Sequence, residues 1–207
     1  MAKGAVITIG RQFGSGGREV GEKLAKQLGI PYYDKELILL SAKKSGLSPD
    51  VLEEADEKAA SSFWYSMSLG APSQNPQPAY FYDMPVNDKL FLLQSEVIQT
   101  AANQGPCVIV GRCADYVLRD CPGCAHVFVH ASEQFRIERI AKLYSLPRGK
   151  AEDLMRKTDK KRLSYYNYYS DSKWGDARNY HLCIDSGVLG IDETVELIKT
   201  YVSLRKA

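Results

Sequence analysis

The stretch "RQFGSGGRE", residues 11–19, sets three glycines among a serine, a glutamate and two arginines. Gly14, Gly16 and Gly17 allow positive φ and close approach of the backbone to a ligand. A helix starting just after them would offer unpaired N–H groups and a positive dipole end to an anion. The commonest phosphate loop, G-x-x-x-x-G-K-[ST], places a lysine on the β- and γ-phosphates and a hydroxyl on magnesium. Here Gly17 stands at the lysine position and Glu19 at or near the hydroxyl position. Arg18, or Arg11 at the start of the loop, could supply the cation, because guanidinium grips phosphate through paired hydrogen bonds. Glu19 could hold magnesium directly or through water.

Two other readings compete for the same loop. A plain strand-to-helix turn needs glycine for geometry alone. The spacing of Gly10, Gly14 and Gly16 is also similar to that of short-chain dehydrogenases, with Asp34 placed as a ribose-binding acid and Tyr169 and Lys173 as a Tyr-x-x-x-Lys pair. Against the dehydrogenase, the strict G-x-G-x-x-G fails at Glu19, no serine lies about a dozen residues before Tyr169, and the chain is short for a full dinucleotide fold.

Further candidates follow along the chain. Asp34 ends a short apolar segment and suits acceptor binding or general-base work better than a helix cap. Between Arg136 and Arg162 ten basic side chains face four acidic ones. Cations delivered by a closing lid stabilise a phosphoryl-transfer transition state, although most charge runs are solvated helix faces. Cys121 and Cys124 have the spacing of half a zinc site, with a plain turn as the simpler reading. His130 could touch a nucleotide, and Tyr165, Tyr166, Tyr168 and Tyr169 suit packing between lid and core.

These residues must be held by a scaffold that the patterning also describes. Apolar runs at 4–10, 107–111, 126–130 and 181–185, with "GIPYYD" ending at Asp34, read as strands. Helical periodicity occupies 17–28, segments across 35–59, 88–104, a segment from Ser132, a charged region to Tyr169, and a closing stretch from 191. Near-continuous apolar strands alternating with helices predict an α/β fold with a parallel sheet covered on both faces. Ligands of such sheets bind beyond the carboxyl ends of the strands, which gathers Gly10, Asp34, Gly111, His130 and Asp185 along one edge. Residues 61–85 mix Ser, Pro and Gln with Trp64, Tyr65, Tyr80, Phe81 and Tyr82, as a binding loop or a subunit contact would.

Four segments, "ITIGRQFGSGGRE" with "KLAKQLGIPYYDKELI", "VIVGRCADYVL", "HVFVHASEQFRIERI" and "HLCIDSGVLGIDETVELI", resemble the cytidylate kinase-like proteins within the P-loop nucleoside monophosphate kinases. The resemblance implies a three-layer P-loop kinase fold with a five-stranded parallel sheet, an acceptor-binding insertion at about 35–87 and a helical lid at about 140–170. It implies transfer of a phosphoryl group from ATP, with Mg2+, to a small acceptor such as CMP. Gly14, Ser15, Gly16, Gly17 and Arg18 would wrap the donor phosphates, with Arg11 and Glu19 beside them. Arg112 would hold the acceptor with Asp34, and Asp115 would replace the aspartate that Cys113 displaces from the Gly-Arg-Asp segment. Arg148, Asp159, Lys161 and Arg162 would serve the transition state from the lid. Thr158 and Arg162 depart from the Arg-Asp-x-Arg-Asp lid pattern, which weakens CMP as acceptor. A non-catalytic nucleotide sensor or partner-binding module on the same fold is the alternative from another class.

Composition sets the outer bounds. At 207 residues the chain is predicted to form one domain with its insertions. A net charge of +2 gives no global field for nucleic acid. No apolar run reaches the ~18 residues that span a bilayer. Five cysteines do not suggest a disulfide framework, so reduced thiols and a cytoplasmic setting are expected. The aromatic residues of 63–82 make a homodimer plausible.

Overall fold

The computed structural model describes residues 5–34 and 86–205. The expected acceptor-binding insertion, the helical segments across 35–59 and the aromatic stretch behind the homodimer expectation fall outside the described residues, apart from the last two residues of the insertion.

Five parallel strands form the sheet: β1 (Ile7–Arg11), β2 (Tyr32–Tyr33), β3 (Val108–Val110), β4 (Ala125–His130) and β5 (Leu182–Asp185), in the order β2-β3-β1-β4-β5. Ile7 pairs with Val108 on one side and Ala125 on the other, so β1 lies at the centre. Side chains alternate across each strand. Ile7, Ile9, Val108, Val110, Val127 and Val129 face a core closed by α1 (Gly17–Leu28) and α7 (Ile191–Leu204). Ile109 faces the opposite layer of α2 (Val86–Gln104) and the short α3 (Ala114–Val117), through Val97, Ile98, Ala101 and Leu118. Burial on both faces is why these strands read as unbroken apolar runs.

The helices start and stop where the sequence marks them. In α1 the buried stripe Val20, Leu24 and Ala25 recurs at helical spacing, and Gly29 ends the helix at φ 65°. Ser132 caps α4 (Glu133–Tyr144) by accepting from the Phe135 N–H, and Pro147 precedes α5 (Arg148–Tyr169). Ile137 and Ile140 of α4 pack on Ala151 and Met155 of α5, with Phe13 of the glycine loop against them. This third cluster ties the charged helix to the loop it overhangs. A one-turn helix, α6 (Ser186–Leu189), closes the sheet edge after β5. No helix among the described residues is long and apolar enough to cross a membrane.

Candidate active site

β1 delivers the glycine loop to the carboxyl edge of the sheet. The Gln12 N–H donates to the Val129 carbonyl at 3.1 Å and Gln12 Oε1 accepts from the Ala131 N–H at 3.2 Å, stitching the loop's start to β4. The buried Ser15 hydroxyl donates to the Gln12 carbonyl at 2.9 Å. The Ser186 hydroxyl reaches the carbonyls of Ser15 and His130, at 2.6 and 3.0 Å. Gly14 and Gly16 take φ of 83° and 84°. Space also demands glycine: a Cβ on Gly14 would lie 2.8 Å from the Arg136 carbonyl, and one on Gly16 would run into Ile191. Gly16 starts α1 with no side-chain cap.

A cleft of about 580 Å³ opens over the loop. Arg18 projects across it to Asp34 at 2.8 Å and reaches Glu22 at 3.4 Å. Glu19 Oε2 accepts from Arg139 at 2.6 Å while its Oε1 faces Lys23 at 3.5 Å. One wall is apolar: Ile140, Leu143 and Tyr144, with the Tyr144 ring stacked on Phe13 at 6.0 Å.

α5 lies across the loop and divides this cleft from a second. Asp159 accepts from the Phe13 N–H at 2.8 Å and from the guanidinium of Arg136, which also donates to the Phe13 carbonyl at 3.2 Å. Arg162 donates to the Arg11 carbonyl at 3.1 Å and sits 5.4 Å from the centre of the Phe13 ring. Both Arg11 and Arg162 line both clefts. Burial, with Arg162 and Arg112 nearby, pushes Arg11 down to about 9. An arginine stays protonated at neutral pH, so the lowering expresses first the cost of burying its charge and then that of two guanidiniums nearby. Gly111, at φ 81°, makes room for Arg11; a Cβ there would strike its guanidinium. Arg112 and Cys113 follow at φ 57° and 53°. Non-glycine residues adopt this region only where their surroundings over-determine it.

The second cleft, about 400 Å³, lies between the ends of β1 and β3, α5 and the segment after it. Arg112, Lys161 and Thr158 line it, with Tyr165, Trp174 and Tyr180 as aromatic walls. The Arg112 guanidinium sits 5.6 Å from the centre of the Tyr165 ring. Asp115, buried at the start of α3, accepts from the Tyr166 hydroxyl at 2.6 Å, and burial raises its pKa.

Residues 6–188 match the cytidylate kinase-like family. The chain belongs to that family. In structure it is similar to an uncharacterized protein from Eubacterium ventriosum, at 30% identity over 97% of this chain and 99% of that one, with a TM-score of 0.72. It is also similar to a shikimate kinase from Bacteroides thetaiotaomicron, at 12% identity over 97% and 99% of the two chains, with a TM-score of 0.55. At that identity the likeness is one of fold, and the fold is the P-loop kinase fold. No curated protein matches the sequence.

Within this cytidylate kinase-like fold the residues singled out from sequence divide into groups. Arg11, Gly14, Gly16, Gly17, Arg18, Glu19, Asp34 and Arg162 line the first cleft, and Arg112, Asp115, Lys161, Arg162 and Arg11 line the second. Ser15 lies beneath the loop with its hydroxyl turned to the backbone. Four of these residues have neighbours that the sequence did not foreshadow. Both oxygens of Glu19 face cations, Arg139 and Lys23. Arg148 lines neither cleft and hydrogen-bonds the side chain of Gln134. Asp159 is spent on the Phe13 amide and Arg136, so it builds the loop's support. Asp34 lines the first cleft with Arg18, while Arg112 and Asp115 line the second.

The dehydrogenase pair is not assembled either. Tyr169 donates to Asp88 at 2.7 Å and stacks on Phe91 at 4.3 Å, and neither it nor Lys173 lines a cleft. The tyrosines of α5 instead fasten that helix to α2 and α3, Tyr165 through Gln94 at 3.1 Å. Cys121 and Cys124 bracket a turn in which the Cys124 N–H donates to the Cys121 carbonyl at 3.3 Å. No group of three or more metal-ligating residues occurs among the described residues. His130 lines neither cleft. Sequence reading missed Arg139 and Arg136 as individuals within the basic run, and Phe13, Tyr144, Trp174 and Tyr180 altogether. The α4 periodicity carried a signal for the arginines; nothing local marked the aromatics.

Proposed function

We propose that the protein transfers the γ-phosphoryl group of ATP to a small acceptor at the junction of the two clefts. One observation carries this: Arg11 and Arg162 line both clefts and Arg112 joins them in the second, beside a positive-φ glycine loop that opens a helix. Holding three cations so close is costly without an anion to share. A transferring phosphoryl group, whose equatorial oxygens gain charge, repays that cost at the moment of reaction.

The first cleft suits the nucleotide. Its loop can wrap phosphates, Arg18 stands on the first turn of α1, and Ile140, Leu143 and Tyr144 give an apolar wall for a base. Magnesium fits no side chain reserved for it, since Glu19 and Asp34 face cations and Ser15 faces a carbonyl. A divalent ion would come with the phosphates, keeping most of its waters. The second cleft presents Arg112, Asp115 and Lys161 to the acceptor. The acceptor oxygen forms the new bond to the γ-phosphorus as the bond to the β,γ-bridging oxygen breaks and ADP leaves; a hydroxyl acceptor gives its proton to solvent, whereas an ionised phosphate acceptor has none to lose. The chain's part is positioning and electrostatics, with α5 as the element that covers the reaction.

An ADP-release assay against nucleoside monophosphates, CMP first, and unrelated hydroxylated metabolites tests this. Turnover with at least one acceptor is expected, and absence of calorimetric ATP-analogue binding at millimolar concentration would remove the reading. The missing lysine favours a second reading, a nucleotide sensor, whose sign is nucleotide binding with no turnover across the panel.

A further inference from the structure

The turn Cys121-Pro122-Gly123-Cys124 sits at the amino end of β4 and lines neither cleft. The Cys124 N–H donates to the Cys121 carbonyl at 3.3 Å, and Gly123 takes φ of 82°. Proline followed by a positive-φ glycine inside a bonded four-residue turn is the type II arrangement, which holds the outer residues within the Cα separation that a disulfide spans. Pro122 fixes its own φ, so that separation is set before any bond joins the cysteines. The Cys121 Sγ lies over the turn, 3.8 Å from the Pro122 carbonyl oxygen, and the two side chains are close enough to hydrogen-bond. Both are free thiols. The pair is asymmetric. Cys121 is partly exposed, Pro122 and Gly123 are exposed, and a Cβ on Gly123 would meet nothing within 4 Å among the described residues, so the turn opens to solvent on one side. Cys124 is 2% exposed and packs with Cys107 in the cluster beneath α2 and α3. Burial, then the neighbouring Cys121 and Cys107, push the Cys124 thiol up. Arg205 acts the other way: it donates to the Cys124 carbonyl at 2.6 Å and sets beside the turn a cation that favours a thiolate.

The geometry points to Cys121 and Cys124 as a thiol–disulfide exchange site that reacts with small-molecule disulfides. One accessible thiol backed by a buried one in contact is the arrangement in which a mixed disulfide is resolved from inside. Cys121 loses its proton and attacks one sulfur of the incoming disulfide; that S–S bond breaks, and the first small thiolate leaves and takes up a proton. Cys124 then loses its proton and attacks the Cys121 Sγ, the mixed disulfide breaks, and the second small thiolate leaves as a thiol. The protein dithiol is oxidised by two electrons, and the small disulfide is reduced to two thiols. This chemistry is independent of phosphoryl transfer, since the clefts lie at the carboxyl edge of the sheet and the turn at its amino edge.

Incubation of the full chain with oxidised glutathione at millimolar concentration, followed by intact mass measurement and peptide mapping, tests this. Cys121 and Cys124 should lose two hydrogens and be recovered as one cross-linked peptide carrying no glutathione, and dithiothreitol should reverse the change. Cys124→Ala keeps an apolar side chain in the buried position and should trap glutathione on Cys121. Cys121→Ser should leave Cys124 reduced, because no accessible thiol remains to begin the exchange. Cys107→Ala should leave the cross-link intact. A lasting glutathione adduct on Cys121 in the wild type overturns the proposal, as do a cross-link from Cys121 to Cys107 and the absence of any reaction at the turn. If Cys124→Ala does not fold, the wild-type cross-link and Cys121→Ser, changed at the partly exposed position, decide the matter by themselves.

Discussion

Arg11 shows how a single side chain can be placed against its own preference. It leaves the end of the central strand, passes through the space that Gly111 leaves open, and meets Arg112 and Arg162. Replacing it with methionine removes charge repulsion and keeps much of the packing. Arg11→Met should therefore raise the melting temperature of the free protein by several degrees while abolishing the upward shift that pyrophosphate is expected to produce in the wild type. Differential scanning fluorimetry with and without pyrophosphate reads both effects. A fall in the melting temperature of the free protein would mean that the guanidinium is stabilising as it stands. Gly111→Ala attacks the same arrangement from the backbone side, through a positive φ and a clash with Arg11. A loss of about 2 kcal/mol in urea unfolding, together with the loss of pyrophosphate binding, is expected.

The elements carry two further consequences. α5 is fastened to the glycine loop chiefly through Asp159, which bonds the Phe13 amide and the buried Arg136. Asp159→Asn leaves Arg136 without its counter-charge, at a cost of about 3 kcal/mol. Hydrogen exchange should then quicken in α5 and the loop before it does in β1 and β3; uniform quickening would argue against a local fastening. At the opposite end of the sheet, His126 of β4 is buried, its Nδ1 lies 2.8 Å from the Thr8 hydroxyl, and its ring stacks with His181 at 5.0 Å. Burial, with His181 and Arg205 nearby, pushes it down to about 4 from an ordinary 6.5. Its neutral form is the one the fold favours. The associated stability is complete above pH 6.5, where the unfolded chain is also neutral, and is lost as pH falls toward 4 because only the unfolded chain gains the proton. The loss is on the order of 3 kcal/mol. Urea midpoints at pH 7 and pH 4.5, for the wild type and for His126→Asn, measure it; an equal pH dependence in both would assign the effect to other groups.

Over the whole molecule the charges nearly balance, 27 basic against 25 acidic, yet the carboxyl edge of the sheet gathers a local excess of cations around the clefts. Anion affinity should therefore depend on salt even though the net charge is only +2. Raising ionic strength from about 50 to about 200 mM shortens the screening length, and ATP-analogue affinity should fall several-fold while unfolding free energy changes little. Isothermal titration at the two salt levels decides this, and equal affinities would place the binding energy in apolar contacts. That partition of charge was only half legible beforehand. The ten basic residues between Arg136 and Arg162 are plain in the sequence, but α4 and α5 turn them to different uses: Arg136 and Arg139 into ion pairs, Arg162 to the cleft junction, Arg148 to Gln134.

What the sequence determined by itself is what local physics can encode. Strands buried on both faces must be apolar throughout, helices must carry their stripe at 3.6-residue spacing, and a strand-to-helix turn of this kind must use glycine, so the sheet, its helices and the loop were readable from residues 6–34 and 88–204. The tertiary structure alone decided which side chains meet. Glu19 finds Arg139 120 residues away, Asp159 finds the Phe13 amide, and Tyr180 comes to rest over Gly10, because each contact depends on how α4, α5 and the segment after them pack back across the sheet edge. A periodic pattern states that a helix buries one face; it holds no information on the partner that face meets, and the chemistry of this site depends on those partners.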